Sequence, residues 1–276
     1  MHYTINDILY SRGKMTLVMT EVSTYGVAMA ADSSVTFPDG RVYVGAQKLL
    51  PVPQINAGLS IWGRGDVNGT AADTWLQDFV QNDVTSEMTL LNMAETLVDK
   101  LNNEFGGPIN DRMGIHVGGF DEKNGVRGPA FYHIHNGHFH FEFGNGNISE
   151  VPEEDPPIRE LRVHEDRPPQ IYHGDNFPEP TRNGDFSIFG ILYDKLNPIL
   201  KDIQNLTGFS FPFPPSLASR GENLRFWINI ARELYRLSNF RLRVLPQPAT
   251  AGDAGIGGPI SVLTISSDGI QSFYTK

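Results

Sequence analysis

Thr16-Leu17-Val18-Met19-Thr20-Glu21-Val22-Ser23-Thr24-Tyr25-Gly26-Val27-Ala28-Met29-Ala30-Ala31-Asp32 is the stretch that decides how this chain is read. Two β-rich runs, residues 16–22 and 27–32, flank the turn-like Ser23-Thr24-Tyr25-Gly26, a pattern that predicts a β-hairpin. A pairing that sets Val22 opposite Gly26 and Thr20 opposite Ala28 also sets Thr16 opposite Asp32, a hydroxyl beside a carboxylate. Lys48 follows Asp32 by the same sixteen residues that separate Asp32 from Thr16, at the end of the extended run 42–50. Taken singly, these are an ordinary β-branched strand residue, a turn carboxylate and a solvated cation. Their common spacing points to one place where a nucleophile, a cation and an orienting anion meet.

The stretch from Thr16 to Lys48, with Tyr25-Gly26-Val27-Ala28-Met29-Ala30-Ala31-Asp32-Ser33 at its centre, resembles the start of a mature proteasome β-subunit or its bacterial relatives. These are N-terminal-nucleophile (Ntn) hydrolases. Val117-Gly118-Gly119-Phe120-Asp121 is similar to that family's strand end before a hairpin. Asp253, Gly257-Gly258-Pro259-Ile260, Ser261-Val262-Leu263-Thr264-Ile265 and Asp268-Gly269 resemble its last strands. The resemblance touches residues 16–143 and 250–276. It implies an α+β fold, a four-layer αββα sandwich of the Ntn-hydrolase type, with Thr16 as nucleophile supported by Lys48 and Asp32. It further implies an oxyanion donor at the backbone N–H of Gly63, auxiliary roles for Ser33 and Asp253, and Val35 and Ala46 near the substrate pocket. Where the family pattern has a serine three positions after Asp253, this chain has Ile256.

The chemistry of such a site follows from its groups. A threonine hydroxyl is a poor nucleophile until a base takes its proton, and a free α-amine on the same residue, with a pKa of about 7.7–8.0, is suited to that task. Lys48 favours the neutral amine and stabilises developing negative charge, while Asp32 fixes the lysine. An acylated nitrogen cannot serve as base, so residues 1–15 are read as a propeptide to be removed or as a misassigned start, with Met15 directly before Thr16.

Length and composition are compatible with one Ntn-hydrolase domain over 16–276. With 276 residues, a sizeable core can form. A formal net charge of −10 argues against nucleic acid or an anionic membrane as partner. The absence of cysteine excludes disulfides, metal thiolates and a cysteine nucleophile. No run of about 18 apolar residues occurs and the first residues lack the features of a secretory signal, so the expected location is cytoplasmic. Helical periodicity appears at about 70–80, at 90–105 with Leu91, Ala94, Leu97, Val98 and Leu101 on one stripe, and at 222–237 with Leu224, Trp227, Ile228, Ala231, Leu234 and Tyr235. Residues 145–220, rich in proline and charge up to Pro180, read as a surface insertion, with the aromatics of Phe209 to Pro215 sheltered against the body or a neighbouring subunit.

A separate constellation is His133-Ile134-His135-Asn136-Gly137-His138-Phe139-His140. Asn-Gly amid alternating residues predicts a hairpin over 130–143 that pairs His135 with His138 and His133 with His140. Four imidazoles on one face could suit zinc, nickel or copper, but with no cysteine and no clearly placed carboxylate the favoured reading is a polar or interfacial hairpin face; neither metal nor cofactor is assigned.

These readings converge on an N-terminal-threonine peptidase that cleaves peptide or unfolded protein substrates through an acyl-enzyme on Thr16. The resemblance implies a homo-oligomeric ring and an ATPase unfoldase as candidate partner. The alternatives are a noncatalytic ring or scaffold subunit of the same fold and a small-molecule amidase.

Overall fold

Strands β1 (Leu17–Ser23) and β2 (Gly26–Ala31) form the expected hairpin, but in a register one residue away from the predicted one. Val18 pairs with Ala31, Thr20 with Met29 and Ser23 with Gly26, leaving a two-residue turn at Thr24-Tyr25. Asp32 therefore stands opposite Leu17, not Thr16, and donates its backbone N–H to Leu17 O at 3.2 Å. Both faces of both strands are buried, so hydrophobic alternation does not distinguish the two registers; the length of the turn does. Gly26 enforces it, with φ of 130° and a backbone so near the neighbouring strand that a Cβ would fall on Ile265 O.

The computed structural model describes residues 16–36, 42–109, 113–123, 125–136, 139–144, 147–152, 160–164, 181–184, 216–244 and 256–276. The other strands are β3 (Ser34–Thr36), β4 (Val42–Val44), β5 (Leu49–Val52), β6 (Ala57–Gly63), β7 (Asp66–Val67), β8 (Thr70–Ala71), β9 (Met113–Lys123), β10 (Val126–His135), β11 (Phe139–Gly144), β12 (Asn147–Pro152), β13 (Arg162–His164), β14 (Thr181–Gly184), β15 (Ser261–Ser266) and β16 (Gly269–Thr275). The helices among the described residues are α1 (Ala72–Asn82), α2 (Leu90–Phe105) and α3 (Leu217–Val244). The result is a mixed α+β fold. One five-stranded sheet runs β14-β1-β2-β15-β16 and another β13-β10-β9-β6-β5. No helix among the described residues is long and apolar enough to cross a membrane.

Among the described residues, three apolar clusters hold these elements. Leu224, Trp227, Ile228 and Ala231 of α3 bury against Leu17, Met19, Ala28 and Ala30 on one face of the β1–β2 hairpin. The opposite face contributes Val18, Val27 and Met29, which join Leu49 and Trp62 of the second sheet. That sheet's other face presents Leu59, Ile61, Ile115 and Val117 to Leu76 and Phe79 of α1 and Met93, Leu97 and Leu101 of α2. Helix α2 is bounded by Thr89, whose hydroxyl caps Asn92 N at 3.1 Å, and by Gly106 at φ of 62°.

Several sequence readings are corrected here. Leu91 is exposed, and the buried stripe of α2 begins instead at Leu90 and Met93. Helix α3 starts earlier than its periodicity suggested, at Leu217; the side chains of Leu234 and Tyr235 lie outside the description. The hairpin over 130–143 does not form, because β10 has β9 on one edge and β13 on the other, while β11 pairs with β12. Asn136 is committed elsewhere: its Oδ1 accepts Met113 N at 3.0 Å and its Nδ2 donates to Ile109 O at 3.2 Å. His133 consequently pairs with His116 and His164, and His135 with Gly114 and Arg162. His138 lies outside the described residues, as do residues 1–15 and Phe209 to Pro215. Within the stretch read as an insertion, β13 and β14 add edge strands to the two sheets.

Gly26→Ala combines a strained φ with a backbone collision and is expected to cost about 2 kcal/mol or more in urea denaturation. An unchanged midpoint would contradict the hairpin geometry.

Candidate active site

Thr16 immediately precedes β1, Asp32 follows β2 and Lys48 precedes β5, so three element ends meet where the two sheets come together. Lys48 Nζ lies 2.7 Å from Thr16 Oγ1 and 3.0 Å from Asp32 Oδ1, and it also donates to Ser34 O. All three side chains are buried. The register correction leaves this meeting intact, because the carboxylate reaches Thr16 through the lysine rather than directly across the hairpin.

Asp32 is organised by the backbone. Its Oδ1 accepts Leu17 N at 3.0 Å, and its Oδ2 accepts Ser34 N at 3.2 Å and Gly257 N at 3.0 Å. Lys48 is fixed through its neighbours: Lys48 O accepts Ile61 N at 2.9 Å, and Gln47 N donates to Asp73 Oδ2 at 3.1 Å. Burial pushes the Lys48 ammonium below the ordinary lysine range, and the Asp32 carboxylate opposes that shift. An ammonium so placed can lower the pKa of a neighbouring hydroxyl or amine and meet negative charge as it develops.

A cleft opens beside Thr16 and Lys48. Gly63, at the end of β6 with φ of 82°, lines it, as do Val35 and Ala46. Asp253 lies outside the described residues. Ile256 is buried in the cluster beneath α3. Ser33 holds the cleft's edge by its backbone, its carbonyl accepting Gly45 N at 3.0 Å and Ala46 N at 3.1 Å. Its Oγ is buried with no hydrogen-bond partner among the described residues. Sequence reasoning missed Trp62, Arg64 and Asp73, which also line the cleft. Asp73 gives little local signal, since a carboxylate in the first turn of a helix is what the helix dipole favours anyway.

His116, His133 and His135 occupy the layer between the sheets. His116 Nδ1 lies 2.9 Å from Thr20 Oγ1, and Trp62 Nε1 donates to His133 Nε2 at 3.2 Å. The rings of His133 and His135 are 4.5 Å apart between centroids. His133 and His135 thus share a buried face with His116.

No family model matches the chain, and no curated protein sequence matches it. Among solved structures it is similar to the Anbu (Gly-1) mutant from Hyphomicrobium sp. strain MC1, at 12% identity and a TM-score of 0.48, over 94% of this chain and 86% of that one.

Because the folded pKa of Lys48 lies below the unfolded one, the unfolded chain binds more protons between the two values. Stability therefore rises as pH climbs through the folded value toward the ordinary lysine range. Asp32→Asn strips the buried lysine of its counter-charge and is expected to cost about 3–5 kcal/mol at neutral pH. It should also widen the window of rising stability toward lower pH, while Lys48→Met abolishes it. Denaturant titrations across about pH 7–10 read both effects; wild-type stability and pH slope in Asp32→Asn would contradict the assignment.

Proposed function

We propose that the chain is an N-terminal-threonine peptidase of four-layer αββα architecture, hydrolysing peptide bonds through an acyl-enzyme on Thr16. The observation that carries this reading is the contact of one buried ammonium, Lys48 Nζ, with both Thr16 Oγ1 at 2.7 Å and Asp32 Oδ1 at 3.0 Å at the edge of a cleft. The placement of apolar clusters on both outer faces of the paired sheets and between them supports the layered architecture.

Removal of residues 1–15 frees the α-amine of Thr16. That amine takes the proton of Oγ1 as Oγ1 bonds to the scissile carbonyl carbon, and the negative charge moves to the carbonyl oxygen. The backbone N–H of Gly63 and the ammonium of Lys48 stabilise that charge. The carbon–nitrogen bond then breaks, the departing amine takes the proton, and Thr16 is left as an ester. Water, deprotonated by the same α-amine, bonds to the ester carbon; the carbon–Oγ1 bond breaks, the proton returns to Oγ1 and the acid product leaves. Substrates in this reading are peptides or unfolded proteins, and the protein works as a homo-oligomeric ring with an ATPase unfoldase as partner.

One observation favours a second reading, a noncatalytic ring subunit of the same fold. Ile256 is buried under α3 where the resembled family places a serine, so no hydroxyl is offered from that position.

The two readings part on one comparison. In protein with an exposed Thr16, Thr16→Ala is expected to lower turnover of fluorogenic peptidyl amides by at least about 1,000-fold, with Thr16→Ser retaining a measurable share. Equal turnover by wild type and Thr16→Ala would overturn the peptidase reading.

A further inference from the structure

Asp73, in the first turn of α1, shares the cleft with Thr16 and Lys48. Its carboxylate is held from two sides by backbone: Oδ2 accepts Gln47 N at 3.1 Å, and Oδ1 accepts Thr74 N at 2.9 Å. Gln47 lies between Ala46 and Lys48, both of which line the cleft, so this anchoring sets the carboxylate at the cleft wall. A carboxylate offers about four acceptor sites, so two donors leave capacity for another.

The other charges lining the cleft are already matched. Lys48 faces Asp32 at 3.0 Å, and Arg64 is paired with Asp66 at 2.9 Å while its guanidinium covers the Phe105 ring. Asp73 makes no ion pair among the described residues, which leaves one carboxylate in the wall that is met by backbone N–H groups but by no cationic side chain. Val35, Ala46, Ile61 and Ala72 make much of the rest of the lining apolar. An apolar wall ending at a fixed carboxylate is complementary to an aliphatic stem that ends in a cation.

We infer that Asp73 determines specificity: the cleft takes substrates whose residue on the acyl side of the scissile bond is lysine or arginine. This rests on the peptidase reading of Thr16 and names the substrate class of that same site. Asp73 is half-buried, so a partly desolvated charge pair sets the scale, about tenfold in kcat/KM.

The test uses the full assembled protein with Thr16 exposed and two peptidyl amides that differ only in arginine or leucine at that position. Wild type is expected to turn over the arginine substrate about tenfold better. In Asp73→Asn, which keeps an oxygen to accept Gln47 N, the arginine-to-leucine ratio falls toward one; Asp73→Glu restores a preference for the cation. A ratio that Asp73→Asn leaves unchanged, including a proportional loss on both substrates, would show that the carboxylate only steadies the Lys48 segment and would overturn the inference. Brisk turnover with a preference for leucine would overturn it too, leaving the peptidase reading in place. No turnover of either substrate, with Thr16 shown to be exposed, would overturn both.

Discussion

The structure around the cleft depends on one buried carboxylate. Asp32 accepts backbone N–H groups from Leu17, Ser34 and Gly257 and an ammonium proton from Lys48, so four separate parts of the chain are tied to its two oxygens. A buried ion pair is costly to desolvate and contributes little unless its remaining hydrogen-bonding capacity is met. Here three backbone donors meet it, and what the arrangement secures is geometry: Lys48 Nζ is shared among Asp32 Oδ1, Thr16 Oγ1 and Ser34 O. Burial makes the ammonium readier to give up its proton, and the carboxylate limits how far that goes.

The apolar layers explain how such a node stays buried. Residues of β1 alternate between the cluster under α3 and the cluster between the sheets, so both faces of the strand beginning just after Thr16 are packed, while the two-residue turn sets its register. Helix α1 serves both fold and cleft. Leu76 and Phe79 bury against the second sheet, while Asp73 at its start holds Gln47 N. Displacing α1 would therefore disturb the segment carrying Lys48 without touching Lys48 itself.

Much of this was legible in the sequence, and what was not has identifiable causes. The hairpin and the spacing of Thr16, Asp32 and Lys48 could be read because turn residues and strand-forming runs are local signals. Its register could not, because Leu17, Val18, Met19, Ala28, Met29 and Ala30 are all buried and apolar, which makes either pairing acceptable to a hydrophobic pattern. The histidine segment misled for a related reason. Asn136-Gly137 is a hairpin signal on local grounds, but both amide atoms of Asn136 are taken by Ile109 and Met113, distant in sequence. Asp73 and Trp62 became visible only once packing had brought α1 and β6 to the same cleft. Helix existence was clear from period, yet Leu91 shows that one exposed leucine at an element start is enough to shift the assigned face.

For Thr16 to act with its own α-amine as base, the residues before it must be gone, and the intact mass of the purified protein together with N-terminal sequencing reads this most directly. The expected result is a mature chain whose first residue is Thr16. A chain that retains residues 1–15 after prolonged incubation, and above all one that turns over peptides in that state, would contradict it.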